Sequence, residues 1–78
     1  MKKEILCVGC AKAAKDLFPK DKPYPGENVR FVHGRAKAQY HCDHCFQSIH
    51  PTDHACAFTI FLDGEKPEWE TAYLTAAT

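Results

Sequence analysis

Two short stretches decide the fold of this 78-residue chain: Cys7-Val8-Gly9-Cys10 near its start and Cys42-Asp43-His44-Cys45 beyond its middle. Each is a C-x-x-C turn, called a knuckle below, that offers two thiols from one tight loop. Four thiolates are a ligand set that a structural zinc ion prefers. Because a chain this short builds only a small apolar core, a metal cross-link between distant segments is expected. We predict one structural Zn²⁺, bound by Cys7, Cys10, Cys42 and Cys45.

Neighbouring side chains leave the exact ligand set open. His41 precedes the second knuckle and His44 lies inside it, and imidazole is as good a zinc ligand as thiolate. Either histidine can replace a cysteine as a zinc ligand, or it can donate a hydrogen bond to one of the ligands without contacting the metal. The fifth cysteine, Cys56, is a further alternative. It belongs to a second group of possible ligands in residues 50–56, which we interpret as a polar turn followed by a core cysteine.

The use of cysteine also bears on the compartment. Only Ile5 and Leu6 separate the charged first residues from Cys7, so the chain has no apolar run typical of a signal peptide. No stretch approaches the roughly 20 apolar residues of a membrane span. We therefore expect a cytoplasmic protein without membrane contact. Thiols stay reduced in that compartment, and paired C-x-x-C spacings there indicate metal rather than disulfides.

Charge is distributed unevenly along a chain whose net charge is zero. Residues 1–40 contain nine Lys or Arg and four Asp or Glu, whereas residues 41–78 contain one Lys and six Asp or Glu. Such asymmetry is typical of a basic face for nucleic acid, an acidic face for a basic partner, or two halves that attract each other. A zinc ion with four thiolates adds net negative charge, which opposes nonspecific DNA binding.

In the first half, residues 3–8 are predicted to form a strand and residues 11–18 a helix. Residues 20–28 are rich in proline and turn formers and are expected to form a loop. Residues 29–32 and 36–41 are predicted to pair as a β-hairpin that turns at His33-Gly34-Arg35 and leads into the second knuckle.

In the second half, residues 55–62 are the most strongly predicted strand. Both of its faces are apolar, which favours a central strand or one covered by the C-terminal segment, because a strand of this kind at an exposed edge would aggregate. Residues 67–76 are predicted to form a helix that begins near Pro67. The predicted fold is a single small α+β domain over residues 1–78, a zinc-stapled antiparallel β-sheet with one N-terminal and one C-terminal helix.

A C-x-x-C pair, a hairpin and a second C-x-x-C pair resemble the arrangement of zinc-ribbon and treble-clef proteins. The resemblance covers residues 7–45 and implies that the fold is organised around one zinc ion. Two positions differ from those families: Ala11 stands where a glycine commonly follows the first knuckle, and Pro51 interrupts the segment where a treble clef opens a helix. Residues 40–49, the apolar strand over residues 55–62 and Trp69-Glu70 are also similar to small zinc-binding proteins of bacteria and their phages.

Catalysis is not expected. A catalytic zinc keeps one coordination position for water, whereas four thiolates leave none. The deaminase pattern is absent, since no histidine is followed two residues later by glutamate. A thioredoxin-like role for the first knuckle leaves the second without a purpose. We therefore do not expect an enzyme.

Two non-catalytic classes remain, and the oligomeric state stays open. The first is a protein-interaction module that acts as a regulator or adaptor. It is favoured by the zero net charge of the chain and by its acidic second half. The alternative is a nucleic-acid-binding zinc ribbon that uses the basic 12–37 region, with phosphate contacts interleaved with aromatic stacking. Arg30, Arg35 and Lys37 would be the critical group, supported by Lys12, Lys15, Lys20 and Lys22.

Overall fold

The computed structural model describes residues 2–18 and 24–76. One α-helix, six strands and a short 3-10 helix follow one another along this part of the chain. They are β1 (Lys2–Cys7), α1 (Val8–Leu17), β2 (Glu27–Ala36), β3 (Tyr40–His41), β4 (Ser48–Ile49), β5 (His54–Leu62), the 3-10 helix (Trp69–Ala72) and β6 (Leu74–Ala76).

Strand β5 lies inside a four-stranded antiparallel sheet of order β1-β5-β2-β6, and this confirms the central position predicted for it. β1 pairs along one side of β5, with Ile5 opposite Ala57, and β2 pairs along the other, with Phe31 opposite Phe58. Residues 55–59 are all buried. Their small or apolar side chains suit a strand that is covered on both faces.

Each face of β5 has its own cover. On one face, the Phe58 ring packs between Phe18, the C-cap residue of α1, and Phe31 of β2, with ring centroids 5.2 and 5.1 Å from its own. On the other face, the fully buried Thr59 accepts a hydrogen bond from the indole Nε1 of Trp69 at 2.8 Å. Because successive residues of a strand point to opposite faces, β5 packs against the helix on one face and against the C-terminal segment on the other.

The hairpin predicted from residues 29–41 is wrong. β2 continues without a turn through His33, Gly34 and Arg35, and Tyr40–His41 pairs with Ser48–Ile49 rather than with β2. Gly34 allows the backbones of β2 and β6 to approach each other closely, because a Cβ at this position would collide with the carbonyl oxygen of Thr75 in β6. A glycine inside a strand pattern is a common sign of such an approach.

The predicted C-terminal helix over residues 67–76 is also wrong. Its first part forms only the 3-10 helix Trp69–Ala72, and its second part is β6, which pairs with the end of β2. Pairing with β2 satisfies backbone groups that would otherwise lie unpaired at the sheet edge. The buried Glu70 side chain is fixed by Arg30 of β2, with 2.9 Å between Oε1 and Nε. These tertiary contacts outweigh the weak helical propensity of the segment.

Within the described part of the chain, no helix has the length and apolarity needed to cross a membrane. The predicted loop at residues 20–28 lies partly outside the described residues, and Lys20 and Lys22 fall in that gap.

Candidate metal centre

The first knuckle joins β1 directly to α1. Cys7 ends the strand and is also the N-cap of the helix, where its Sγ accepts a hydrogen bond from the backbone N–H of Cys10 at 3.5 Å. An N-cap side chain satisfies one of the free N–H groups of the first turn. The helix therefore begins at Val8, three residues before the predicted start, and places Cys10 on its first turn.

The second knuckle lies at the tip of the short β3-β4 hairpin. The backbone N–H of Cys42 donates to the carbonyl of Gln47 at 2.8 Å, and the N–H of Phe46 donates to the carbonyl of Cys42 at 2.9 Å. Phe46 has a φ of 63°, in the left-handed region that favours glycine. This backbone turn brings Cys42 and Cys45 to the same side of the hairpin tip.

Asp43 attaches the second knuckle to β1. Its backbone N–H donates to the carbonyl of Ile5 at 2.9 Å, and its Oδ2 accepts from the backbone N–H of Ile5 at 2.7 Å. Both bonds lie along the outer edge of β1, two residues before Cys7. The sequence pattern did not predict this contact. The one feature that could have indicated it is an aspartate, whose carboxylate accepts hydrogen bonds, inside the second knuckle.

These contacts bring the four knuckle cysteines into one group. All four Sγ atoms lie within 4.8 Å of one another, and this is the one group of possible metal ligands among the residues described. The Sγ atoms of Cys7 and Cys45 are 3.7 Å apart. Tetrahedral zinc with Zn–S bonds of about 2.3 Å separates its sulfurs by about 3.8 Å, whereas a disulfide brings them to about 2.05 Å. The cluster therefore fits a metal of the zinc class.

The pKa values of two thiols in the cluster, those of Cys42 and Cys10, are shifted in opposite directions. Burial opposes ionisation of Cys42, yet the backbone N–H groups of Cys45, Cys7 and His44 outweigh it and lower its pKa to about 6. The pKa of Cys10 is raised, first by its side-chain hydrogen bond to Cys7 and then by burial and the other thiols. One thiol is thus prepared as a ligand, while a bound cation must drive the ionisation of Cys10.

The alternative ligands lie outside the cluster. His41 and His44 are both exposed, and the group of possible ligands contains cysteines alone. Cys56 is fully buried in β5, where burial raises the pKa of its thiol. In the second group of possible ligands, Asp53 accepts a hydrogen bond from the backbone N–H of His50 at 3.0 Å and so closes a turn.

The three basic residues predicted to contact nucleic acid all have partners within the protein. Arg30 pairs with the buried Glu70. The Nη1 of Arg35 donates to the carbonyl of Thr52 at 3.1 Å, and the Nζ of Lys37 donates to the carbonyl of Thr71. Nothing in the sequence pattern signalled the pairing of Arg30 with Glu70, because the two residues are 40 positions apart.

Comparisons with protein-family models, curated proteins and solved structures found no match. The cysteine cluster and its supports are therefore the basis for the functional interpretation.

Proposed function

We propose that this protein is a non-catalytic zinc module that presents a folded surface to another protein, as an adaptor or regulator does. The observation that carries the proposal is the cluster of four thiols within 4.8 Å. It draws one pair from the β1-α1 junction and the other from the β3-β4 hairpin. A zinc ion held by Cys7, Cys10, Cys42 and Cys45 would cross-link these two parts, and it would supply no open position for a substrate.

The proposed zinc is structural because of where its ligands come from. β3 and β4 are two residues each and form their own small sheet. A two-stranded hairpin of this kind has marginal stability without support. Binding energy at the cluster would therefore be folding energy for the hairpin and for the start of α1.

A protein partner is preferred to nucleic acid for electrostatic reasons. Arg30, Arg35 and Lys37 each use a donor on Glu70 or on a main-chain oxygen, so part of their capacity to bind phosphates is already occupied. The four thiolates add negative charge, which weakens the long-range attraction of phosphates. A neutral chain with a structural zinc suits recognition of a protein surface, and a cytoplasmic location is part of the same proposal.

Native mass spectrometry tests the proposal. We expect one zinc per chain in the unmodified protein, and loss of zinc with loss of cooperative unfolding in Cys10→Ser and Cys45→Ser. Cys56→Ser is the matched control, since it also removes a thiol yet leaves the cluster intact, and it should keep its zinc. Zinc retained in both cluster variants but lost from Cys56→Ser would show that the ligand assignment is wrong. A metal-free mass two hydrogens light would indicate a disulfide instead.

A further inference from the structure

A cavity of about 330 Å³ lies beside the outer edge of β1, on the face opposite α1. We call it the aromatic pocket. Its side-chain lining includes Lys3, Tyr40, His41, Asp43, Trp69 and Tyr73. This size is at the lower end of the range for small-ligand sites, and it is large enough for one long side chain.

Three rings, with Tyr73 in contact with each of the other two, form the aromatic part of the pocket. Tyr73 packs against Tyr40 with ring centroids 5.5 Å apart and against Trp69 at 5.4 Å. Trp69 is held in place by its hydrogen bond to Thr59. Preformed aromatic walls lose little conformational entropy on binding, and their π faces attract cations.

The charged side chains that line the pocket, Asp43 and Lys3, balance each other, and the thiolates of the proposed zinc site shift the local potential in favour of a cation. Asp43 uses Oδ2 to accept from Ile5 at 2.7 Å, which fixes the carboxylate and leaves Oδ1 for a ligand. The adjacent zinc thiolates of the proposed function add negative charge. Lys3 is the opposing charge, since it lies opposite Thr59 on the face that Trp69 covers. Glu4 faces the other way and pairs with Lys2 at 3.4 Å.

The edge of β1 is available beside the same pocket. Antiparallel ladders alternate, so the backbone N–H and C=O of Lys3 point to the same outer edge as those of Ile5. Asp43 occupies the groups of Ile5, while no described residue bonds to those of Lys3. An extended peptide can pair with this edge, and an alternate side chain of that peptide would then reach the aromatic pocket.

We propose that the aromatic pocket receives an arginine side chain from an extended segment of the partner protein, an inference that rests on the proposed interaction function. The planar guanidinium stacks on tyrosine and tryptophan rings and donates hydrogen bonds in a fixed plane. Asp43 Oδ1 accepts one of these bonds, and the backbone of the segment pairs with Lys3.

Fluorescence of Trp69, the one tryptophan of the chain, reports on the pocket directly. The probe is the blocked pentapeptide Thr-Val-Arg-Val-Thr, and the control peptide carries norleucine in place of arginine. We expect the arginine peptide to bind about tenfold more tightly to the zinc-loaded protein. Equal affinity for the two peptides, or no saturable change with either, would overturn the proposal.

Four variants separate the contributions of charge and ring. Asp43→Asn keeps an acceptor for Ile5 but removes the carboxylate charge, and it should lose most of the preference for arginine. Lys3→Gln should strengthen arginine binding several-fold by removing a like charge. Tyr73→Leu should weaken binding while Tyr73→Phe, the matched control that keeps the ring, should not. Normal binding by both Asp43→Asn and Tyr73→Leu would show that the pocket is not the site.

A nucleotide probe distinguishes the competing ligand class. Adenosine monophosphate should bind no better than the norleucine peptide, and tight binding that Lys3→Gln weakens would replace the proposal with a nucleic-acid site. Zinc content is measured on each sample. A protein that holds zinc but ignores the arginine peptide disproves the pocket assignment alone, whereas a folded protein without zinc disproves the proposed zinc module.

Discussion

Phe46 combines two unfavourable properties at one residue. Its φ of 63° lies in the left-handed region, and its side chain is 76% exposed. Left-handed backbone costs a residue with a Cβ about 1 kcal/mol, and an exposed ring recovers little of that by burial. The residue is held there because the second knuckle needs this turn to present both of its thiols.

Phe46→Gly should therefore stabilise the zinc-loaded protein by about 1 kcal/mol, because glycine adopts this backbone conformation without steric cost. Chemical denaturation at a fixed free zinc concentration measures the change. Phe46→Ala is the matched control, since it removes the ring but keeps the Cβ, and it should give no gain. A loss of stability in Phe46→Gly equal to that in Phe46→Ala would mean that the ring makes a stabilising contact.

Single residues were predicted from sequence to very different extents. The meeting of Cys7, Cys10, Cys42 and Cys45 follows from spacing, since a C-x-x-C turn holds its own two thiols together. The burial of Glu70 could not be predicted in this way. An acidic residue in a polar segment normally stays in solvent. Here the ion pair with Arg30, which comes from a strand distant in sequence, offsets the free-energy cost of burying the carboxylate.

Among the elements, the pairing of β6 with β2 depends on the missing side chain of Gly34. Gly34→Ala should separate the two strands and destabilise the protein by more than 1 kcal/mol. Hydrogen exchange at the amides of residues 74–76 should accelerate more than exchange in β5. Gly9→Ala is the matched control, because a Cβ at that helical position meets no atom within 4 Å beyond its chain neighbours and the backbone of its own helix. Equal protection of β6 in both variants would show that the close approach is not required.

The elements that were predicted correctly carry strong local patterns. The apolar run of β5 marked a central strand, because few other positions accept apolar side chains on both faces. The hairpin and the C-terminal helix were wrong for a common reason. Gly34 has the local signature of a turn and residues 67–76 have that of a helix, yet Gly34 and Leu74–Ala76 form strands because they pair with each other across the sheet. Local propensity does not encode that long-range pairing.

For the whole molecule, the cluster lies at the point where the two sheets meet. Asp43 binds the second knuckle to β1, and a metal at the cluster would add a second attachment close by. The formal charge asymmetry of the chain is met in part within the fold, since Arg30 from the basic half pairs with Glu70 from the acidic half. This pairing supports the interpretation that the two halves attract each other.

The pH dependence of zinc affinity tests whether the metal and the fold assemble together. An unfolded chain has thiols with a pKa of about 8.5, so coupled folding and binding should release about four protons near neutral pH. A preassembled site, with the pKa of Cys42 lowered to about 6, already holds one thiolate and should release fewer. A lowered pKa stabilises the assembled site fully above the ordinary thiol pKa, and this contribution is lost as the pH falls through about 6.

We therefore expect zinc affinity to fall steeply on acidification, with a slope near four for the logarithm of the affinity against pH between about pH 6.5 and 7.5. Competition with a chelator of known affinity measures this slope. Circular dichroism of the metal-free protein over the same range provides the control. A slope of three or less, together with folded metal-free protein, would show that the four thiols are brought together before zinc binds. The hairpin would then owe its stability to Asp43 and the sheet rather than to the metal.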